Sequence, residues 1–310
     1  MIKYYTRACN FHYGNLSKKL IKKKLTLPLA GSKVMSFDQI EIFFKNKKKI
    51  KSKIINLNEI KFLPNLIKKK IIKDIKIITL KRKFLKNKSH SIMGILNMTP
   101  DSFSDGGHYN KRNKALKRIK EMIDAGADII DIGGESTRPG SKIIKPEIEW
   151  KRIKETVKFF KTKHPDVLLS IDTRKSLVMR NAIKFKVDLI NDVSCFKFGN
   201  NSSKTISNKN LWKVIHHMQG TPQTMQDNPK YDNVLLDVYD FFEKEIYKLK
   251  KDKFKGKIIL DPGIGFGKNL EHNLMVMSKI SLFHSLGFPI LIGASRKKFI
   301  SQISGNFDTK

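Results

Sequence analysis

Four polar residues follow short apolar runs, and together they could bind a heterocycle that is rich in hydrogen-bond donors and acceptors. They are two carboxylates, one amide and one ammonium: Asp172, Asn191, Asp261 and Lys297. A carboxylate can accept two adjacent N–H groups, an amide can donate and accept, and a lysine can donate to a ring carbonyl. This set matches a 2-amino-4-oxo pterin ring. Each residue alone fits an ordinary turn or helix start, so the prediction depends on their meeting in one place.

A polar loop within residues 93–107, MGILNMTPDSFSDGG, is the second chemical feature. A short apolar run ends there in six oxygen-bearing side chains, Asn97, Thr99, Asp101, Ser102, Ser104 and Asp105. Mg²⁺ prefers such oxygens and usually shares them with water and a substrate phosphate. A solvated turn between a strand and a helix is the alternative interpretation of the same composition.

The elements that would position these residues are alternating strands and helices. Strands are predicted at 92–96, 129–132, 167–171, 187–190, 214–217, 258–260 and 290–292. Helices are predicted at 113–125, 149–160 and 234–249, with a short or loose one within 200–210. Alternation of this kind indicates an α/β protein with a parallel sheet. Polar residues at nearly every strand end favour a (β/α)8 TIM barrel over an open doubly wound sheet, whose chemistry lies at one switch point.

The first 90 residues are predicted to be a lysine-rich extension of unclear structure, and residues 91–310 to be the barrel. A turn is expected at 26–31, one strand or helix at 34–44, and a strand within 71–80. The extension holds 25 Lys and Arg against 4 Asp and Glu, within a total net charge of +35. Nucleic acid or an anionic membrane would suit that charge, but genomic composition bias is the favoured explanation. A basic field would still attract anionic substrates.

Cysteines and hydropathy give the expected location. Cys9 and Cys195 have no metal-binding or CxxC spacing, which suggests a reducing compartment without a disulfide framework. No apolar run approaches the roughly 18 residues that would span a bilayer. We therefore expect a cytoplasmic protein without a membrane partner.

Seven segments in order closely resemble the dihydropteroate synthase family, namely MGILNMTPDSFSDGG, IDIGGESTRPG, SIDTRK, INDVS, HMQGTPQTMQ, LDPGIGFGKN and GASRK. The resemblance implies a (β/α)8 barrel that is usually a homodimer. It also implies a transferase of folate biosynthesis. The reaction would join (7,8-dihydropterin-6-yl)methyl diphosphate to 4-aminobenzoate and release diphosphate and 7,8-dihydropteroate.

The resemblance also implies a role for individual residues. Asn97 would help to bind Mg²⁺ at the diphosphate, which Thr137 and Arg138 would contact. Asp172, Asn191, Asp261 and Lys297 would hold the pterin, and Lys297, Asp172 and Arg138 are the expected catalytic residues. The 4-aminobenzoate pocket would be formed by Phe103, Pro139, Phe266 and Ser295.

One departure from the family pattern leaves alternatives open. No Arg-x-His motif follows Lys297, so the barrel is expected to be truncated before its eighth strand. An inactive barrel or one that only binds pterin is therefore one alternative. A folate-dependent methyltransferase-like domain is another, but it would not need the two loops that are predicted to bind the diphosphate.

Overall fold

Residues 2–82, 90–99, 108–136, 141–199, 201–251 and 256–305 are described by the computed structural model. The chain divides into two units. The first comprises Met1–Ser89, Tyr231–Glu243 and Leu274–Ile290, and the second comprises His90–Lys230, Lys244–Asn273 and Leu291–Lys310. The division into an extension at 1–90 and a barrel at 91–310 stays a prediction.

The first unit contains a four-stranded antiparallel sheet. Its elements are β1 (Lys3–Tyr13), α1 (Gly14–Lys22), β2 (Leu27–Pro28), β3 (Met35–Asn46), β4 (Lys49–Asn56) and α2 (Asn65–Thr79). The long strand β3 pairs with β1 on one side, and with β2 and β4 on the other. Apolar side chains from β3 and α2 form a common core. Of the two alternatives for 34–44, the strand is the one that forms.

The strand predicted within 71–80 is wrong, because these residues belong to the helix α2. Ile71, Ile75 and Ile78 recur at spacings of four and three residues, which places them on one face of a helix. Ile71 and Ile78 are fully buried in the core of the first unit. Their helical spacing outweighs the preference of isoleucine for strands.

The rest of the chain alternates strands and helices as predicted. The strands are β5 (Met93–Asn97), β6 (Ile129–Gly133), β7 (Leu168–Asp172), β8 (Leu189–Asp192), β9 (Trp212–His216) and β10 (Lys257–Asp261). The helices are α3 (His108–Asp124), α4 (Pro146–Lys163), α5 (Ser176–Ile183), α6 (Ser202–Ser207), α7 (Val234–Lys251), α8 (Leu270–Ser278) and α9 (Lys298–Ser304). The six strands form one parallel sheet in the order β10-β9-β8-β7-β6-β5, which is the α/β architecture of a (β/α)8 barrel.

Alternate residues along each strand face opposite sides of this sheet. Apolar side chains on one side pack against α3, α4 and α5, as Ile130 and Ile132 of β6 do. The intervening residues, such as Asp131 and Gly133, face the other side. The polar strand ends therefore project away from the helices, toward the inner face of the sheet.

Of the seventh strand, predicted at 290–292, the described part of the chain forms only an isolated bridge at Ile290. Leu291 N donates to Leu260 O at 2.8 Å, which places this segment beside β10. Pro289 has no N–H to donate and Ile292 is 47% exposed, so neither residue extends the pairing. None of the described helices is long and apolar enough to cross a membrane.

Candidate active site at the carboxyl ends of the parallel strands

The strand register places four residues side by side at the carboxyl ends of neighbouring strands. Asn97 of β5 pairs with Gly133 of β6, Gly133 pairs with Asp172 of β7, and Asp172 pairs with Asn191 of β8. Paired residues in a parallel sheet point to the same face. Asn97, Asp172 and Asn191 are thus brought to one edge of the inner face.

The glycine in this row leaves room for the polar side chains on either side of it. A Cβ at Gly133 would lie 3.5 Å from Asp172 Oδ2 and 3.6 Å from Asn97 Oδ1. A larger side chain at this position would fill the space between the amide and the carboxylate. The Asn97 side chain is exposed at this end of the sheet.

Asn191 is held by a carboxylate that the sequence reasoning missed. Its Nδ2 donates to Asp131 Oδ2 at 2.9 Å. Asp131 lies two residues before Gly133 and therefore points to the same face. Ser170, which pairs in register with Asp131, also hydrogen-bonds to the Asp131 carboxylate. Asn191 Oδ1 is buried and has no hydrogen-bond partner among the described residues. An unsatisfied buried acceptor indicates that a ligand with an N–H group completes the site.

Asp261 occupies the end of β10, next to an aromatic pair. Its Oδ1 accepts from Gly263 N at 2.8 Å, and its Oδ2 lies 4.0 Å from His216 Nε2. The His216 ring meets the Phe266 ring edge to face, with the centroids 4.7 Å apart. Since Oδ1 is held by the backbone, the Asp261 side chain has a fixed orientation. The sequence reasoning gave His216 no role, although it pairs with Asp261 in register.

Lys297 reaches the same region from a different segment. Its Nζ lies 4.0 Å from the centroid of the Phe266 ring, a cation–π distance. Burial lowers the pKa of Lys297, while the negative charges of Asp261 and Asp172 oppose that shift. The ammonium is therefore close enough to both carboxylates to interact with them, and the predicted set of two carboxylates, an amide and an ammonium does converge.

Several carboxyl groups are buried close together at this site. Burial raises the pKa of Asp172 well above its usual range, and the neighbouring Asp131 charge adds to the shift. Burial likewise raises the pKa of Asp131, to which the charge of Asp261 contributes. The site thus favours a ligand that donates hydrogen bonds and carries positive character, since either would stabilise these carboxylates.

A buried lysine supports the loop that follows β10. Lys268 Nζ lies 3.0 Å from His217 Nδ1 and donates to Gly263 O at 3.0 Å and to Phe266 O at 3.1 Å. Gly263 has a φ of +66°, and a Cβ there would collide with the His217 carbonyl oxygen. Only glycine therefore allows this turn to pass so close to β9. The lysine and the turn together place Phe266 beside Lys297.

Replacing Lys268 with methionine should change how stability depends on pH. Burial lowers the pKa of Lys268 to about 7 from the usual 10.5. The unfolded chain then binds more protons than the folded chain across that window, so this lysine makes stability rise with pH between the two values. Relative to Lys268→Met, the wild-type protein should gain about 2 kcal/mol of unfolding free energy between about pH 7 and pH 9.

Urea unfolding of both proteins at the two pH values measures this difference. The exposed Lys154→Met on α4 is the matched control and should show no comparable change. An equal pH dependence of wild type and Lys268→Met would contradict the titration of Lys268 in this window.

A buried ion-pair cluster holds the segments on either side of residues 137–140. Lys175 Nζ lies 2.7 Å from Glu135 Oε1 and 2.7 Å from Glu149 Oε2, and it donates to Ile144 O at 2.7 Å. Burial alone would raise the pKa of Glu135. The hydrogen bonds that its carboxylate accepts from Lys175 and from the Ile144 amide instead lower that pKa. The residues before and after 137–140 are therefore attached to the start of α5.

Of the residues predicted from sequence, the structure brings Asp172, Asn191, Asp261, Lys297 and Phe266 together. Asn97 lies in the same row, and Ser295 is exposed. Phe103, Thr137, Arg138 and Pro139 lie outside the described residues, so their predicted roles stay predictions. Sequence reasoning assigned no role to Asp131, His216 or Lys268. For Asp131 a signal was available, because an acidic residue inside an apolar strand faces the same side as the residue two positions later.

Comparison with known proteins agrees with this arrangement. Residues 93–310 match the family model described as pterin binding enzyme. Dihydropteroate synthase of Escherichia coli K12 is 42% identical over 213 residues, which cover 68% of this chain and 75% of that protein. Dihydropteroate synthase of Clostridium beijerinckii is 45% identical over 210 residues, covering 67% and 75% of the two chains.

A solved structure supports the same assignment. Dihydropteroate synthase from Xanthomonas albilineans with 4-aminobenzoic acid has a TM-score of 0.65 and 33% identity. The alignment covers 71% of this chain and 78% of that chain.

Proposed function

Because the chain belongs to the dihydropteroate synthase family of pterin-binding enzymes, we propose that its strand-end side chains hold the pterin diphosphate for condensation with 4-aminobenzoate. The observation that carries this proposal is that Asp172, Asn191 and Asp261 lie on the inner face of one parallel sheet, with the Lys297 ammonium close enough to interact with both carboxylates. The activity of the family is a transfer that forms 7,8-dihydropteroate. Relatives up to 45% identical are synthases, which favours this function over a methyltransferase.

Pterin recognition follows from the charges and donors at the site. The Asp261 carboxylate would accept from ring N3–H and from the 2-amino group, and the Lys297 ammonium would donate to the 4-oxo oxygen. The Asn191 oxygen lacks a protein donor and would accept another ring N–H. Asp172 is close enough to Lys297 to balance its charge. Such a site rejects rings that leave its buried groups unpaired.

The diphosphate end of the substrate would lie toward Asn97. Mg²⁺ commonly takes one or two protein oxygens and completes its shell with water and substrate phosphates. The exposed Asn97 amide oxygen at the end of β5 fits that pattern. Bound there, Mg²⁺ would neutralise charge on the leaving diphosphate. Thr137 and Arg138 remain the predicted partners of the diphosphate from the next loop.

The amine substrate would lie against Phe266, with Phe103, Pro139 and Ser295 as its other predicted neighbours. The Phe266 ring has His216 at one side and the Lys297 ammonium over its face. It is half-buried and so offers an apolar surface next to the pterin site. The structure from Xanthomonas albilineans with 4-aminobenzoic acid makes an aromatic amine a reasonable second substrate here.

The chemistry that these residues support is a substitution without a covalent enzyme intermediate. The bond between the pterin methylene carbon and the diphosphate oxygen breaks, and diphosphate leaves with the bonding electrons. The electron-rich ring shares the positive charge on the methylene carbon, and Asp172 and Asp131 would stabilise that charge in their ionised form. The amine nitrogen then forms the new C–N bond and releases one proton to water. Catalysis is thus positioning together with electrostatics.

Turnover of the purified chain tests the proposal. The protein is supplied with the pterin diphosphate, 4-aminobenzoate and Mg²⁺, and 7,8-dihydropteroate is measured by chromatography. Product that depends on both substrates is the expected result. A folded protein that neither binds pterin nor forms product would overturn the proposal. The homodimer implied by the family resemblance and the cytoplasmic location expected from the cysteines and hydropathy stay predictions.

A further inference from the structure

We propose that Asp131 is a positioning residue that fixes the Asn191 amide with its oxygen, rather than its NH2 group, facing the pterin. This inference deepens the proposed function and rests on it. It adds a residue to the site and states which hydrogen-bonding group Asn191 presents. The ligand group that Asn191 recognises is then a ring N–H donor.

The geometry of the pair supports this orientation. Asp131 Oδ2 on β6 accepts from Asn191 Nδ2 on β8 at 2.9 Å, across the intervening strand β7. Both side chains point to the inner face, because Asp131 lies two residues before Gly133 and Asn191 pairs in register with Asp172. Asp131 is 3% exposed, and the β6 strand that carries it is buried along its whole length. The carboxylate therefore cannot turn away into solvent.

Electrostatics decides which way the amide faces. With the present orientation a carboxylate oxygen accepts from an N–H, whereas the flipped amide would place its oxygen against the negative carboxylate. The present orientation leaves Asn191 Oδ1 buried and without a protein partner. A buried acceptor of this kind binds a ligand that donates there and penalises one that does not.

The orientation of the Asn191 amide depends on Asp131 rather than on the other charged groups nearby. The carboxylates of Asp172 and Asp261 and the ammonium of Lys297 interact through their charges with the same region, but among the described residues none of them hydrogen-bonds to the Asn191 amide. No described side chain other than Asp131 is bonded to the Asn191 amide. Removing the Asp131 carboxylate should therefore free the amide to flip while leaving Asp261 and Lys297 in place.

A double-mutant cycle tests the inference through pterin affinity. Kd for 6-hydroxymethylpterin is measured by calorimetry for wild type, Asp131→Ala, Asn191→Ala and the double variant. Asp131→Ala should weaken binding by about tenfold, and Asp131→Asn, which retains one acceptor oxygen, should weaken it by a smaller factor. In the Asn191→Ala background, Asp131→Ala should change Kd less than about twofold, because its effect passes through Asn191.

The control variant carries the same type of change at the other end of the sheet. Asp188 directly precedes β8, at the amino ends of the strands, and its Oδ2 accepts from Leu169 N at 2.8 Å. The pterin site is at the carboxyl ends, so Asp188→Asn should leave Kd unchanged. If Asp131→Ala does not fold, the same double-mutant cycle is measured with Asp131→Asn and tests the inference in its place. Equal losses in both backgrounds, or no loss from either Asp131 variant, would overturn this inference alone. A wild-type protein that binds no pterin would overturn the proposed function together with it.

Discussion

Replacing Asp261 with asparagine should lower kcat/KM for the pterin diphosphate by about 100-fold, because a charged acceptor of two N–H groups becomes a neutral amide with one acceptor oxygen. The loop that follows β10 should keep its conformation in this variant. Gly263 N donates to Asp261 Oδ1 at 2.8 Å, and the amide oxygen of asparagine can accept the same bond. The loss should therefore appear in pterin binding rather than in folding. Kd for 6-hydroxymethylpterin and thermal unfolding separate the two effects.

Asp124→Asn is a suitable control for this experiment. Asp124 lies at the end of α3, where it pairs on the surface with Lys120 at 2.7 Å. Exposed pairs of this kind contribute little to stability or binding. The control should keep wild-type kinetics. Wild-type pterin affinity in Asp261→Asn would mean that Asp261 shapes the turn but does not bind the ring.

The arrangement of the site follows from a rule that could be applied to the sequence. Parallel strands present their carboxyl ends at one edge, so Asp172, Asn191 and Asp261 could be grouped before any coordinates were known. Their order along the row depends on register, which apolar runs alone leave uncertain by a residue or two. Strand alternation alone places Asp131 on the same face as Gly133, but which residues of the neighbouring strands it meets depends on the register.

The errors in the fold have a common physical origin. Isoleucine-rich stretches were assigned to strands in two places, at 71–80 and at 290–292. In the first, the spacing of Ile71 and Ile78 buries one face of a helix. In the second, Pro289 and the exposed Ile292 limit the pairing to an isolated bridge at Ile290 beside β10. Tertiary burial, rather than residue preference, decided both cases.

The supporting contacts of the site were beyond sequence reasoning for another reason. Lys268 and Lys175 look like any of the many lysines in this basic chain, yet both are 3% exposed and ion-paired or hydrogen-bonded. Because lysine is so common in this chain, the few lysines with a structural role cannot be distinguished by their residue type. Only their partners, the carbonyl oxygen of Gly263 and the carboxylate of Glu135, distinguish them from a solvated surface residue.

Lys297→Met should lower kcat/KM for the pterin diphosphate by about 100-fold or more, since it removes the ammonium that is expected to donate to the 4-oxo oxygen. Methionine can keep the apolar contact with Phe266, whose ring centroid lies 4.0 Å from the present Nζ. Packing should therefore change little. The adjacent Lys298, which is exposed at the start of α9, gives the matched control Lys298→Met with wild-type kinetics expected.

The pH profile gives Lys297 a second signature. Burial lowers the pKa of Lys297, so its ammonium is lost at a lower pH than that of an exposed lysine. Activity that needs the ammonium should fall as the pH rises through that lowered pKa, and Lys297→Met should lack this alkaline limb. Lys297→Arg stays charged at high pH, so any activity it retains should also be free of the limb. An unchanged alkaline limb in both variants would assign it to another group and remove Lys297 from the pterin site.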